Sequence, residues 1–499
     1  MNTEKHCCGR SLFLLVMAIG IVFTAFAPAQ VTLTQLSEDT FTDQASQHKS
    51  EVEPGTFTWG STIVTAFQVA RIYSGGGADV GFATSTDSGQ TWTNGYLPGL
   101  TVYYDSGPNQ AASDAMVAYD ALHGEWIIVT LPIGSTNTSV AVSRSTDGIN
   151  WGNPVSVTNL GSPDKDFIVC DNTATSPYYG HCYVEWDDTS QGDLIEMSTS
   201  TDGGQSWSTE KPTQGNDYGI GGWPLVLPKG TVVVPISGFN GDVIAFTSTN
   251  GGQSWNAAKN ISSDTSHYEN GDLRSPGLIT AAIDAGGKVY VAWPDCRFRS
   301  GCAENDAVYS TSTNGTKWSA VKRVPIDPVS STVDHFILGL GIAPGTKGAK
   351  AHLALAYYYY PVSNCSTCEL YAGFIESSTG GKTWGSPVEL AGPMQISWLP
   401  NTFSGYMVAD YVTVGFGNGL AFPVVAVAQA PQGGLLQEAM YTTATGQEFR
   451  PELEQLTAEG DVPVPDAHSD HGPREYLDQE NRIPVSGQRP PERDEPDQF

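Results

Sequence analysis

Acidic residues open one apolar run after another in this 499-residue chain. Glu53 opens EPGTFTWG, Asp114 opens DAMVAYD, and Asp166, beside Lys165, opens DFIVCDN. Asp334, beside His335, opens DHFILGLGI, and Asp410 opens DYVTVGF. Trp223 and Arg274 hold the corresponding places in two further runs. Crowded carboxylates cannot all ionise, so one rises into the range of a general acid while a neighbour stays a base. Such a pair is what glycoside hydrolysis requires, and Glu53, Asp114, Asp166 and Asp334 are the candidates. More polar groups end or follow the next apolar runs: Arg71, Asp187 with Asp188, Asp295 with Arg297 and Arg299, and Tyr357 to Tyr360. No cofactor is expected. Calcium among the acids is the one variant, and no EF-hand-like spacing supports it. No Gly-rich phosphate loop or nucleophile elbow points to another enzyme class.

The elements that must position these residues read as short strands. The chain has 55 Gly, 31 Pro and 10% aromatic residues, and its apolar runs alternate or are β-branched between turn residues. The turns repeat. STDSGQTW at Ser85–Trp92 is followed by STDGINW at Ser145–Trp151, STDGGQSW at Ser200–Trp207 and STNGGQSW at Ser248–Trp255. STNGTKW at Ser312–Trp318 and SSTGGKTW at Ser377–Trp384 complete the set. Ser with Asp or Asn two places on can bond nearby backbone N–H groups, Gly supplies positive φ, and Trp covers the turn. Such a turn ties itself down without its neighbours. The copies at Asp147 and Asn314 are one residue shorter, and Thr379 stands where Asp is expected.

The motif resembles the Asp-box, or BNR repeat, of the sialidase superfamily, over about residues 50 to 445. Consecutive tryptophans lie roughly 50–65 residues apart, one β-propeller blade each. The resemblance implies an all-β fold of four-stranded blades, with the Asp-box between strands three and four. Six blades carry the turn. A seventh unit, from Asp410 to Thr443, has three strands and no Asp-box, and VTLTQL from Val31 could supply its fourth. Seven blades are therefore expected, with six as the alternative.

In that superfamily the inner strand begins, and the second strand ends, on the face opposite the Asp-boxes. Glu53, Asp114, Asp166, Trp223, Arg274, Asp334, His335 and Asp410 would then converge with Arg71, Asp295, Arg297, Tyr357 and Tyr358 on the mouth of a central channel. A sialidase there needs an arginine cluster, an acid/base Asp and a Tyr nucleophile. Arg71 closes a matching strand, Arg274 is a second cation, and Tyr357 or Tyr358 is the phenol. Where the family has Arg-Ile-Pro, however, this chain has Val52-Glu53-Pro54, and a Glu53 carboxylate repels a sialate. Another glycoside hydrolysis or a non-catalytic glycan- or protein-binding propeller is the expectation.

A formal charge of −29 disfavours nucleic acid and anionic membranes as partners and leaves glycans and glycoproteins open. Residues 1–29 read as a secretory signal, with Lys5 and Arg10 before the apolar Leu12–Phe26 and an Ala27-Pro28-Ala29 cleavage site. No second apolar stretch follows, so a secreted, extracellular or periplasmic protein is expected. Cys170 with Cys182, Cys296 with Cys302, and Cys365 with Cys368 form three close pairs that suit local disulfides. Residues 30–445 form the propeller domain on this reading. The tail 446–499 has fourteen acidic and five basic residues, hence net −9, and reads as disordered.

Overall fold

A computed structural model of the protein describes Met1, residues 31–447 and residues 456–457. The expected signal segment, apart from Met1, and most of the acidic tail lie outside the described residues. Among the described residues the fold is all-β, built of antiparallel sheets joined by turns and four short 3-10 helices. Among the described residues no helix is long and apolar enough to cross a membrane.

The strands group into seven consecutive units. The first contains Glu51–Trp59, Thr62–Arg71, Gly77–Ser85 and Thr93–Tyr96, each paired with the next. The second contains Ala111–Asp120, Glu125–Ile133, Val140–Ser145 and Val155–Thr158. A single pair, Gly77 with Ala112, joins these two sheets. The third runs Pro163–Cys170, Cys182–Asp188, Leu194–Ser200 and Lys211–Pro212. The fourth, fifth and sixth repeat the plan, the sixth from Asp334–Ile342 to Val388–Gln395. The seventh has Thr413–Gly417, Leu420–Gln432 and Leu435–Thr443. Its fourth strand is Leu33–Gln35, with Leu33 opposite Thr443, so the N-terminal segment supplies the missing element.

Two first strands are shorter than the sequence suggests. In the fourth unit the run from Trp223 reduces to Leu225–Val226, with Gly219–Ile220 pairing separately. Gly221 has φ 68° between them, and a Cβ on Gly222 would lie 2.4 Å from the Glu185 carboxyl carbon, so glycines break the strand to admit that side chain. In the fifth, the run from Ser275 pairs only over Thr280–Ile283, because Pro276 lacks an N–H and Gly277 has φ 66°. The tail also contributes: Leu456–Thr457, inside the stretch expected to be disordered, pairs with Thr383–Trp384.

The core lies between units rather than within one. Val64 and Phe82 of the first unit pack with Val117 and Trp126 of the second. Ile127 and Val129 of the second pack with Phe167 and Val184 of the third, and the pattern continues to the sixth. A last cluster joins Phe336 of the sixth, Val414 of the seventh and Phe67 of the first. The first strands neighbour one another in chain order, and Thr413–Gly417 lies beside both Asp334–Ile342 and Glu51–Trp59.

All six turns bond as their composition demands. The Ser85 hydroxyl donates to Asp87 Oδ1 at 2.8 Å and accepts from Gly89 N at 2.7 Å, while Gln90 N and Thr91 N donate to Asp87 Oδ1 at 3.0 and 2.9 Å. The shorter copies keep the scheme, with Gly148 N and Gly315 N each 2.9 Å from the serine oxygen. Thr379 replaces Asp and keeps one of its two backbone bonds: its Oγ1 accepts from Thr383 N at 2.8 Å, while Lys382 N donates to the Thr379 carbonyl instead. The Thr91 hydroxyl, first among several donors, draws Asp87 down to about 2. Burial works the other way at Asp147 and Asp202, yet the turn's hydrogen bonds leave both below the usual carboxylate range.

These turns are nevertheless not self-sufficient. Gly252, at φ 79°, would place a Cβ 2.2 Å from Thr199 Oγ1 of the preceding unit, and Gly315 would place one 2.6 Å from Val233. Trp151, Trp255 and Trp384 enter the core shared with the preceding unit. Each turn therefore clamps a seam.

All three expected cysteine pairs are disulfides: Cys170–Cys182, Cys296–Cys302 and Cys365–Cys368.

Candidate functional site

Lys165 is the centre of the charged cluster. In the first, second and third units the first strand bulges, with register breaks at Val52/Gly55, Ser113/Met116 and Asp164/Phe167. The bulge residues Glu53, Asp114 and Lys165 adopt left-handed φ of 59°, 48° and 48°. Such backbone costs roughly 1–3 kcal/mol per residue and re-aims the side chain. Here it turns three ionisable groups together. Lys165 Nζ lies 2.9 Å from Asp114 Oδ1, 2.8 Å from Asp410 Oδ2 and 3.5 Å from Glu53 Oε1. Arg274 grips the same Asp410 carboxylate with two nitrogens, Nε at 2.7 Å. Ser113 donates to Asp114 Oδ2 at 2.5 Å, and Gln68 bridges Glu53 and Ser113. Arg71 joins from behind, donating to Gln68 Oε1 at 3.2 Å and to the Gly76 carbonyl at 2.8 Å.

Beside this paired cluster lie three buried carboxyls: Asp166 and Asp187, whose side-chain oxygens have no hydrogen-bond partner among the described residues, and Glu185, which faces the Gly222 backbone. Burial, then the charges of Asp114, Glu185 and Asp164, lifts Asp166 well above the ordinary range. Burial also lifts Glu185, and lifts Asp187 together with the Asp164 charge. Tyr411 is buried here too. Loss of water, then the Glu53 and Asp114 charges, holds its phenol in the neutral form. Its ring meets Phe167 at 5.4 Å, and Phe167 meets Trp223 at 5.0 Å.

The expected ring of mouth groups is thus resolved into separate networks. Glu53, Asp114, Asp166, Arg274 and Asp410 come together, Arg71 adjoins them, and Trp223 flanks them. Asp334 belongs elsewhere: it accepts from Asn305 N at 2.8 Å and lies 2.9 Å from His267 Nε2. His335 approaches the Asn305 carbonyl at 3.2 Å, stacks edge-on against Tyr357 at 5.4 Å, and is held neutral by burial. Asp306, Asp327 and His335 have ligand atoms within 4.8 Å of one another, but Arg299 and Arg323 both pair with the two carboxylates. The local charge is already balanced, so this trio does not fit a cation. Asp295 is engaged by Arg297, by Trp293 Nε1 at 3.0 Å and by Thr265 N at 3.2 Å. Tyr358 donates to the Ala426 carbonyl at 2.7 Å. Tyr357 and Tyr358 point into different seams because neighbours on a strand face opposite ways.

The sequence offers Asp166, beside Lys165, as one strand-start candidate among seven, whereas Lys165 is the residue aimed into the cluster. The bulge moves the aimed residue by one. Tyr411 and Glu185 were missed. The signal for Glu185 is an acid inside the apolar CYVEW run.

No protein-family model matches the sequence, and no curated protein matches it. Among solved structures the chain is similar to a Hadza microbial sialidase, at 17% identity and TM-score 0.43, over 62% of this chain. It spans 64% of that sialidase. It is similar to the NanB sialidase from Streptococcus pneumoniae, at 14% identity and TM-score 0.41, over 82% of this chain and 70% of that one. It is also similar to an ulvan lyase, a polysaccharide lyase, at 10% identity and TM-score 0.46, over 83% of this chain and 96% of that one.

Proposed function

We propose that the protein is a secreted seven-bladed Asp-box β-propeller that hydrolyses a glycosidic bond of extracellular carbohydrate at its hub. The cyclic order of first strands, the shared seam cores and the N-terminal fourth strand support the propeller. One observation carries the chemistry: two buried carboxyls sit in opposite surroundings, Asp114 against the Lys165 ammonium and Asp166 without a hydrogen-bond partner among the described residues. Lys165 Nζ lies 2.9 Å from Asp114 Oδ1, whereas burial, then the Asp114 charge, lifts Asp166 well above the ordinary carboxylate range. Asp166 then serves as the general acid and Asp114 as the base or nucleophile. Arg71 and Arg274 are already engaged by internal partners, which argues against a sialate as the sugar.

A specific observation favours a second reading. Glu53, Asp114 and Lys165 are wholly buried and paired across unit boundaries, as charges that lock blades together would be. On that reading the propeller binds glycan without cleaving it. Incubating the mature chain with a panel of neutral, uronate-containing and sialylated polysaccharides separates the two. Release of reducing ends from a non-sialylated polymer supports hydrolysis. Retained glycan binding without release supports the second reading.

A further inference from the structure

A cleft of about 260 Å³ lies at the third unit, between the turn containing Gly161 and the strands Cys182–Asp188 and Leu194–Ser200. Its walls include Trp186, Asp188, Glu196 and Glu210, and among the described residues no Lys or Arg lines it. The loop is shaped around Asp188. Gly161 has φ 70°, and a Cβ there would sit 2.4 Å from Asp188 Oδ2. Asp188 Oδ1 accepts from Ser162 N at 2.9 Å and from the Ser190 hydroxyl at 2.6 Å, and Oδ2 accepts from Gln191 at 2.7 Å. Burial opposes its charge, but these bonds hold Asp188 below the usual range. Glu196 stands directly across the strand pair from Trp186, is 5% exposed, and its Oε2 has no hydrogen-bond partner among the described residues.

We propose that this cleft binds a compact organic cation, an ammonium or guanidinium group. Such a ligand brings the N–H donor that Glu196 Oε2 lacks, neutralises the acid-only lining, and lies against the Trp186 indole. A neutral sugar leaves the charge uncompensated. A hard metal ion needs several converging oxygens, and the cleft's carboxylates form no such set among the described residues. The site is independent of the hub.

Protonation provides a signature. The groups facing Glu196 are Asp188 from the second strand and Glu210 from the segment before the fourth, with Lys211 one step further, opposite Met197. Burial first, then Glu210 and Asp188, lifts Glu196 to about 7. A bound cation favours the ionised form, so affinity should rise with pH through that value. Calorimetric titration of the mature chain with methylguanidinium at pH 6 and pH 8 tests this. Saturable one-to-one binding is expected, about tenfold tighter at pH 8. Glu196→Gln should weaken it at least about tenfold at pH 8 and remove the pH dependence. Gly161→Ala should weaken it with no change of charge. Glu210→Gln, at a more exposed position, gives a second reading of the acidic lining if Glu196→Gln fails to fold. The proposal is overturned by no binding at pH 8, by affinity unchanged in Glu196→Gln or, if that variant fails to fold, in Glu210→Gln, or by calcium or glucose saturating the site where methylguanidinium does not.

Discussion

Replacing Lys165 with Met would leave Glu53, Asp114 and Asp410 buried, with Arg274 as the cation still bonded to Asp410. Removing one partner of a buried ion pair typically costs about 3–5 kcal/mol, far more than the pair itself is worth. Lys165→Met should therefore lower the denaturation midpoint sharply, and Lys165→Met with Asp114→Asn should recover part of the loss. Equal midpoints for the single and double variants would show that Lys165 does not hold Asp114. Most acidic members of this cluster were legible, because an acid opening an apolar run is conspicuous. The lysine's central role was not, since a one-residue bulge is set by left-handed backbone at Glu53, Asp114 and Lys165 that no side-chain pattern announces. Tyr357 illustrates the converse error: a phenol beside an apolar run is as readily a seam residue, and its ring packs on His335.

At the scale of elements, the six turns were the most legible feature, because the serine hydroxyl and the side chain two places on bond to groups within the same turn. Even the departure at Thr379 keeps its bond to Thr383 N. Their second role was hidden, because it depends on which residues of the preceding unit lie opposite. Gly252→Ala adds a Cβ where Thr199 Oγ1 is 2.2 Å away, whereas Gly419→Ala, at a similar φ of 80°, meets nothing within 4 Å. Both carry the backbone penalty of about 1 kcal/mol or more. Gly252→Ala should cost about 1–3 kcal/mol beyond that in urea unfolding, as overpacking does. Equal losses would mean the turn touches its neighbour too loosely to matter. Trp255→Ala, emptying the seam between the third and fourth units, should cost about 3–5 kcal/mol.

For the whole molecule, stability should fall as pH rises. Burial raises Glu51 and Asp79 to about 8, and raises Asp166, Glu185 and Glu438 as well. In the unfolded chain these carboxyls lose their protons near pH 4. Their contribution is present below that value and is lost as pH climbs through the folded value, to about 8 for Glu51 and Asp79. Asp87, drawn down to about 2, matters only in the acid limb. Melting temperature should therefore drop between pH 6 and pH 9, and Asp79→Asn should flatten the slope. A melting temperature that rises over this range would contradict the buried-acid assignment. The strand Leu33–Gln35 was legible because a three-stranded seventh unit leaves an edge to cover. The pairing of Leu456–Thr457 was not, since two residues in a Pro-rich acidic tail carry no periodicity.

On the proposed function, Asp166 donates the proton while Asp114, paired with Lys165, acts opposite it. The most direct test is the single-turnover rate of glycosidic cleavage by Asp166→Asn on the best polymer of the panel, with its melting temperature measured alongside. A loss of at least about a hundredfold with an unchanged fold is the expected result. A rate within about twofold of the parent chain, or no cleavage of any polymer by the parent itself, would contradict it.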